Sequence, residues 1–319
     1  MAIIKNGLSM MMRGKVGAFS YYVSETRQIV RQAQNNSNFG ATATRSPGQQ
    51  SRRVVWANLV NFYSGNKGWM KKAFEDLKPG VSVFNRFMQL NIPYAQVALT
   101  KQQAADKVCV LQQYQVSQGS LVSPLSSEYN ENAYPNITCN INDDTAKTVA
   151  NVSRAIIDQN DGYLNGDAIV GVSFKGSMKA PANYKAGNFR AGYKYYEVVL
   201  DVNDNRMFAE VYPDWGVLKT GLLACTQMSG GAYTFIHTRK ASGKLLVSTS
   251  FIMMSEDAIA NVAQWGDANQ VANATESYKV EEEVVLNPGG DTRGDSSTDT
   301  GGSTPGGGGD DDDDGNLGE

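Results

Sequence analysis

Residues 231–255 read GAYTFIHTRKASGKLLVSTSFIMMS, and they decide the fold class. Tyr233, Phe235 and His237 alternate with Thr234, Ile236 and Thr238, the period of two that marks a β-strand. Ser242-Gly243 then turns the chain into a second apolar run. On the N-terminal side of this pair, short β-rich runs recur at 108–116, 136–141, 168–174, 193–200, 206–212 and 221–228. Asp161-Gly162, Asn165-Gly166 and Asn203-Asp204-Asn205 punctuate them. No helical pattern is read between these runs, so the expectation is an antiparallel, immunoglobulin-like β-sandwich over 107–286.

The first third reads differently. Ala18 to Val23 and Arg27 to Arg31 flank Ser24-Glu25-Thr26 as a hairpin, and 34–45 is a polar loop. Ser46-Pro47 starts a helix, with a side-chain cap followed by the proline that suits the first helical position. Val55, Leu59 and Phe62 recur at helical spacing before Gly65, which reads as its end. A second helix is expected on Trp69, Ala73 and Leu77, a third from about Val81 to Pro93, and a short turn over Gln102 to Asp106. Residues 1–106 thus read as an N-terminal hairpin plus a small helical docking unit. The tail 287–319 is Gly, Ser, Thr and Asp with almost nothing apolar, which predicts a disordered acidic segment. The class expected is α+β, mainly β.

Net charge is -3, but the charge is unevenly placed. Residues 1–80 carry twelve Lys and Arg against Glu25, Glu75 and Asp76, while 287–319 carry nine acids against Arg293. Such a layout gives the two ends different partners. Arg45, Arg52, Arg53, Lys67, Lys71, Lys72 and Lys78 lie on or beside the first helices, interleaved with Trp56, Tyr63 and Trp69, and Arg45, Arg52, Arg53, Lys71 and Lys72 are the candidate contacts. Cations spaced this way suit phosphates or an acidic protein surface, whereas the aromatics coincide with the apolar stripes and read as packing.

Several chemistries leave no trace. His237 is the only imidazole, no G-x-S-x-G elbow accompanies it, and it reads as a partly exposed strand residue. No phosphate-binding glycine loop is present, so no nucleotide cofactor is expected. Asp310, Asp312, Asp314 and Gly315 open like a calcium loop, but the chain ends before the glutamate that such a loop needs. Asp158, Asp161 and Asp167 are the other acidic group considered for a structural cation, and an Asx-type turn explains them as well. No metal is expected. Cys109, Cys139 and Cys225 form no CxxC and read as reduced apolar strand residues, which fits assembly inside a cell. No run of about 18 apolar residues predicts a membrane span, and no leader is read at the start.

The N-terminal pattern also carries a resemblance. Asn6-Gly7, Gly14-Lys15-Val16-Gly17, Tyr21-Tyr22, then Arg45-Ser46-Pro47 with Gln49-Gln50 and Arg52, resembles a family of uncharacterised proteins widespread in Bacteroidota and their phages. It covers about the first 95 residues well and the remainder by layout. The family has no assigned activity, so no catalytic residue carries over. What the resemblance implies is a non-enzymatic structural virion protein of a tailed phage, such as the crAss-like phages of gut Bacteroidota. Such a protein is a neck or tail ring or capsid-associated component. It assembles in the host cytoplasm with itself and other virion proteins. The alternative from the charge layout is a nucleic-acid-binding accessory protein, contacting DNA through the basic N-terminal region.

Overall fold

In the computed structural model, residues 2–4, 14–16, 19–24, 27–32 and 47–280 are described, apart from 76, 125, 130–131, 143–144, 187–188, 227 and 229–230. The expected loop over 34–45, Ser46 and the acidic tail lie outside the described residues. The chain divides into two compact units, 1–49 and 50–319.

The first unit is a four-stranded antiparallel sheet of β1 (Ala2–Ile4), β2 (Gly14–Val16), β3 (Phe19–Ser24) and β4 (Arg27–Gln32), in the order β1-β4-β3-β2. The expected hairpin is its centre: β3 and β4 pair from Phe19↔Gln32 to Ser24↔Arg27. To this the first residues of the chain add β1 on one side and Gly14–Val16 adds β2 on the other.

The second unit, from Gln50, runs in order through the rest of α1 (Pro47–Met70), then α2 (Val83–Asn91), α3 (Lys101–Ala105), β5 (Gln115–Ser117), β6 (Ser126–Tyr129) and β7 (Asn132–Pro135). It continues through α4 (Val149–Gln159), β8 (Ala168–Lys175), β9 (Gly192–Val199), α5 (Phe208–Val211), β10 (Trp215–Val217) and β11 (Leu223–Cys225). β12 (Ala232–Ala241), β13 (Lys244–Val247), β14 (Ser250–Phe251), β15 (Met253–Met254), α6 (Glu256–Ala263) and α7 (Ala268–Tyr278) complete it. Among the described residues helix, about 37%, exceeds strand, about 27%, so the fold is mixed α+β rather than mainly β.

The main sheet has the order β13-β12-β8-β9, all antiparallel, with β15 also pairing β12. Alternation along β8 and β12 sends Val170, Val172, Phe174 and Ile236 to one face and Ile169, Tyr233 and Phe235 to the other. The first face meets Leu59 and Phe62 of α1 and Phe87 of α2. Phe62 stacks on Phe87 at 5.5 Å and touches Phe174 at 5.6 Å between ring centroids. The second face meets Val149, Val152 and Ile156 of α4, together with Phe208 and Trp215. Where an immunoglobulin-like sandwich would place a second sheet, the described residues place helices on both faces. β8 is buried almost throughout for that reason, and its sequence AIVGVSFK is correspondingly apolar.

The same core crosses the boundary expected at 106/107. Leu59, Phe62 and Met88 share it with Val108, Val116, Val172 and Trp265. Residues 50–106 therefore pack with the β-rich part of the chain.

Several expected elements change with tertiary context. α1 does not stop at Gly65 but runs to Met70. A Cβ at Gly65 would lie 2.5 Å from the Ala191 Cβ, so the glycine serves a close approach rather than a helix end. The second expected helix is absent beyond Met70. Gln118 N donates to Ala73 O and Glu75 N to Gln118 O, and this extended pairing replaces the helical bonds. α2 begins where Ser82 Oγ accepts from Asn85 N, and α3 where Thr100 and Gln103 form a capping box.

The run 206–212 holds α5 rather than a strand, and 136–141 contributes only the isolated bridge Thr138↔Leu222. All three cysteines are buried and none forms a disulfide, but only Cys225 lies in a strand. No helix among the described residues is long and apolar enough to cross a membrane.

Candidate interaction surface

The main sheet buries one charged cluster. Continuing the β8–β12 register (Ala168↔Thr238) by one residue sets Asp167 opposite Arg239, with His237, two residues before Arg239 on β12, diagonal to Asp167. Arg239 Nε donates to Asp167 Oδ1 at 2.6 Å, and Nη2 donates to Oδ2 at 2.7 Å. Oδ2 also accepts from Leu164 N at 2.7 Å and lies 2.8 Å from His237 Nε2. Burial alone would push the Asp167 carboxyl up. The bonds from Arg239, His237 and Leu164 outweigh that and hold it at about 2.

Sequence reading places His237 partly in solvent, and this is corrected: it is fully buried. Tyr163 stacks on it at 4.4 Å, and its Nδ1 lies 3.2 Å from Val122 O. Both ring nitrogens thus face oxygens of the protein. Ser248 sits close by, but its Oγ accepts from the backbone N–H of His237, not from the imidazole. A serine, a histidine and an aspartate are neighbours here without the nucleophile–base contact of a hydrolase. Asp167 is likewise committed to Arg239 and His237 and is not free for a cation. Among the described residues no group of three His, Cys, Asp or Glu is placed to hold a metal ion. The cluster is a structural lock. Only its strand alternation is visible in the sequence, because Asp167 and His237 are seventy residues apart.

The predicted cations have the opposite setting. Arg45 lies outside the described residues; Arg52 and Arg53 are exposed on α1, and Lys71 and Lys72 are exposed in the turn after it. Arg53 and Trp56, and again Ser64, Lys67 and Lys71, are exposed at spacings of three and four, with half-buried Val60 between the two sets on the same side of the helix. Lys67, part of the same basic cluster in the sequence, is exposed with them. Between Glu25 and Glu75 the chain has no acidic residue, so α1 has none. None of the ion pairs among the described residues involves Arg52, Arg53, Lys67, Lys71 or Lys72.

The aromatics between them face inward to different degrees. Trp56, 39% exposed, meets Phe84 edge-on at 6.5 Å, Tyr63 meets Phe84 at 5.1 Å, and Trp69 meets Phe174 at 6.1 Å. They anchor α1 and leave its outer side to the cations. Ala191, packed against Gly65, brings the exposed Arg190 to the flank of the same helix.

A second surface is the edge of the main sheet. Val199 N donates to Tyr212 Oη at 3.2 Å, and Tyr212 Oη donates back to Val199 O at 3.1 Å. The Val199 backbone therefore points away from β8, and alternation turns Glu197, Tyr195 and Tyr193 the same way. Among the described residues no strand pairs β9 on that side, and Tyr195 is 45% exposed there.

No family model, curated protein or solved structure matches the chain.

Proposed function

We propose that this chain is a non-enzymatic structural protein of a tailed-phage virion, a neck or tail ring or capsid-associated component, working by protein–protein assembly. The observation that carries the reading is the 49-residue first unit. A sheet of that size, with no helix packed on either face among the described residues, buries little apolar surface by itself. Phe19 is 49% exposed. β2 covers only Phe19–Tyr21 of β3, and β1 covers only Gln28–Val30 of β4. The outer backbone of residues 22–24 and 31–32 thus has no strand partner among the described residues, and a neighbouring chain's strand fits there by edge addition. In this reading the open side of β9 supplies the lateral contact that was expected from an immunoglobulin-like sandwich. The protein would assemble in the host cytoplasm and end in the virion.

Electron microscopy of the purified chain tests this: closed rings support it, and isolated particles at every concentration count against it. The exposed cations on and just after α1, in none of the ion pairs among the described residues, favour one second reading, a nucleic-acid-binding accessory protein using Arg45, Arg52, Arg53, Lys71 and Lys72. That reading predicts DNA affinity that falls steeply with salt and is lost when Arg52→Glu and Arg53→Glu are combined. Unchanged gel retardation by the double variant would eliminate it.

A further inference from the structure

The cationic stripe and the end of the described chain meet at one place. Val54 of α1 is buried with Val271 and Ala274 of α7, and Tyr278 and Val280 pack on the same small cluster. The chain therefore leaves the described residues at Val280, beside the turn of α1 that carries Arg52 and Arg53. The sequence beyond Val280 is acidic: Glu281, Glu282 and Glu283 come at once, then Asp291, Asp295 and Asp299, then Asp310–Asp314. Thirty residues separate Val280 from Asp310. Thirty residues reach at most about 100 Å, while a helix of 24 residues is about 36 Å long. Reach does not restrict where on α1 the aspartates can sit, and the exit point holds them at high local concentration.

We propose that the acidic C-terminal segment docks on the outer side of α1 in its own chain, with Asp310–Asp314 set against Arg52, Arg53, Lys67, Lys71 and Lys72. The complementarity is unusually one-sided, because α1 carries cations without a single acid and the tail carries one cation, Arg293, among its acids. Docked there, the tail occupies the surface that DNA or an acidic protein would use, and only a more strongly anionic partner displaces it. This goes beyond the assembly reading and does not depend on it.

Zero-length carbodiimide coupling of the full chain, mapped by mass spectrometry, tests the contact. An equal mixture of light and 15N-labelled chains separates coupling within a chain from coupling between chains. The expected result is coupling of Asp310–Asp314 to Lys67, Lys71 and Lys72 within one chain. Those couplings should exceed those to the exposed Lys147, Lys219 and Lys240 by about tenfold at low salt and collapse at about 1 M salt, where screening is nearly complete. Combining Arg52→Glu with Arg53→Glu, both on exposed positions, should reduce them several-fold while the fold is retained. Coupling spread evenly over the exposed lysines, found only between chains, or absent at low salt overturns the proposal.

Discussion

Two sets of charges in this molecule have opposite fates. Asp167, at the start of β8, is bound by His237 and Arg239 of β12, and Arg239 also donates to Gly162 O. Arg52, Arg53, Lys67, Lys71 and Lys72 lie on the outside of α1 and the turn after it, in a stretch of sequence with no acid before Glu75. The buried set holds two strands and a loop together and has nothing left for a ligand. The exposed set takes part in no ion pair among the described residues. Charge alone does not mark a site; what matters is whether the fold has already used it.

The largest effect is expected from Asp167→Ala. It removes the common acceptor and strands a buried imidazole beside a guanidinium, so it should destabilise the protein by about 3–5 kcal/mol. Urea unfolding of the variant checks this, and a change below about 1 kcal/mol would mean the cluster is not a lock.

A milder probe is pH. The Asp167 carboxyl titrates at about 2 in the folded protein against 3.8 ordinarily. A depressed folded value means the contribution is fully present above about pH 4 and is lost as pH falls toward 2. It amounts to about 2 kcal/mol, read as the difference between the acid unfolding of the wild type and that of Asp167→Asn.

The two sides of α1 give a matched pair of smaller effects. Gly65→Ala on the inner side forces a Cβ to within 2.5 Å of Ala191 and should cost about 1–3 kcal/mol in thermal or urea unfolding. Arg52→Glu on the outer side should change stability by less than about 0.5 kcal/mol. If the two substitutions cost the same, α1 has no distinct outer face.

Much of the molecule is legible where the signal is local. The hairpin of β3 and β4, the start of α1 near Ser46-Pro47, α2 before Pro93, and the strands β8, β9 and β12 all arise from short-range patterns. Gly65 misleads because its reason, the approach of Ala191, is 126 residues away in sequence. α4 escapes the sequence reading, although Thr148 caps it and Val149, Val152 and Ile156 form its buried stripe. Only the turn at Asp158 to Gly162, at its end, is read there. α6 and α7 likewise begin at capping residues, Ser255 and Asp267, whose signals are one residue long. With those helices unread, a second sheet is the natural guess for what covers the first.

At the candidate site the cations of α1 are visible because they lie on one continuous segment. The Asp167 lock is not, since it exists only through the pairing of β8 with β12.

The assembly reading is tested most directly by the mass of the purified full chain, from size-exclusion chromatography with light scattering at low and high salt. The account predicts one discrete oligomer of roughly six to twelve chains, unchanged by salt, as strand pairing within a closed ring requires. A monomer at both salts would contradict the self-assembling ring and move the reading to a capsid-bound component or the nucleic-acid-binding accessory protein.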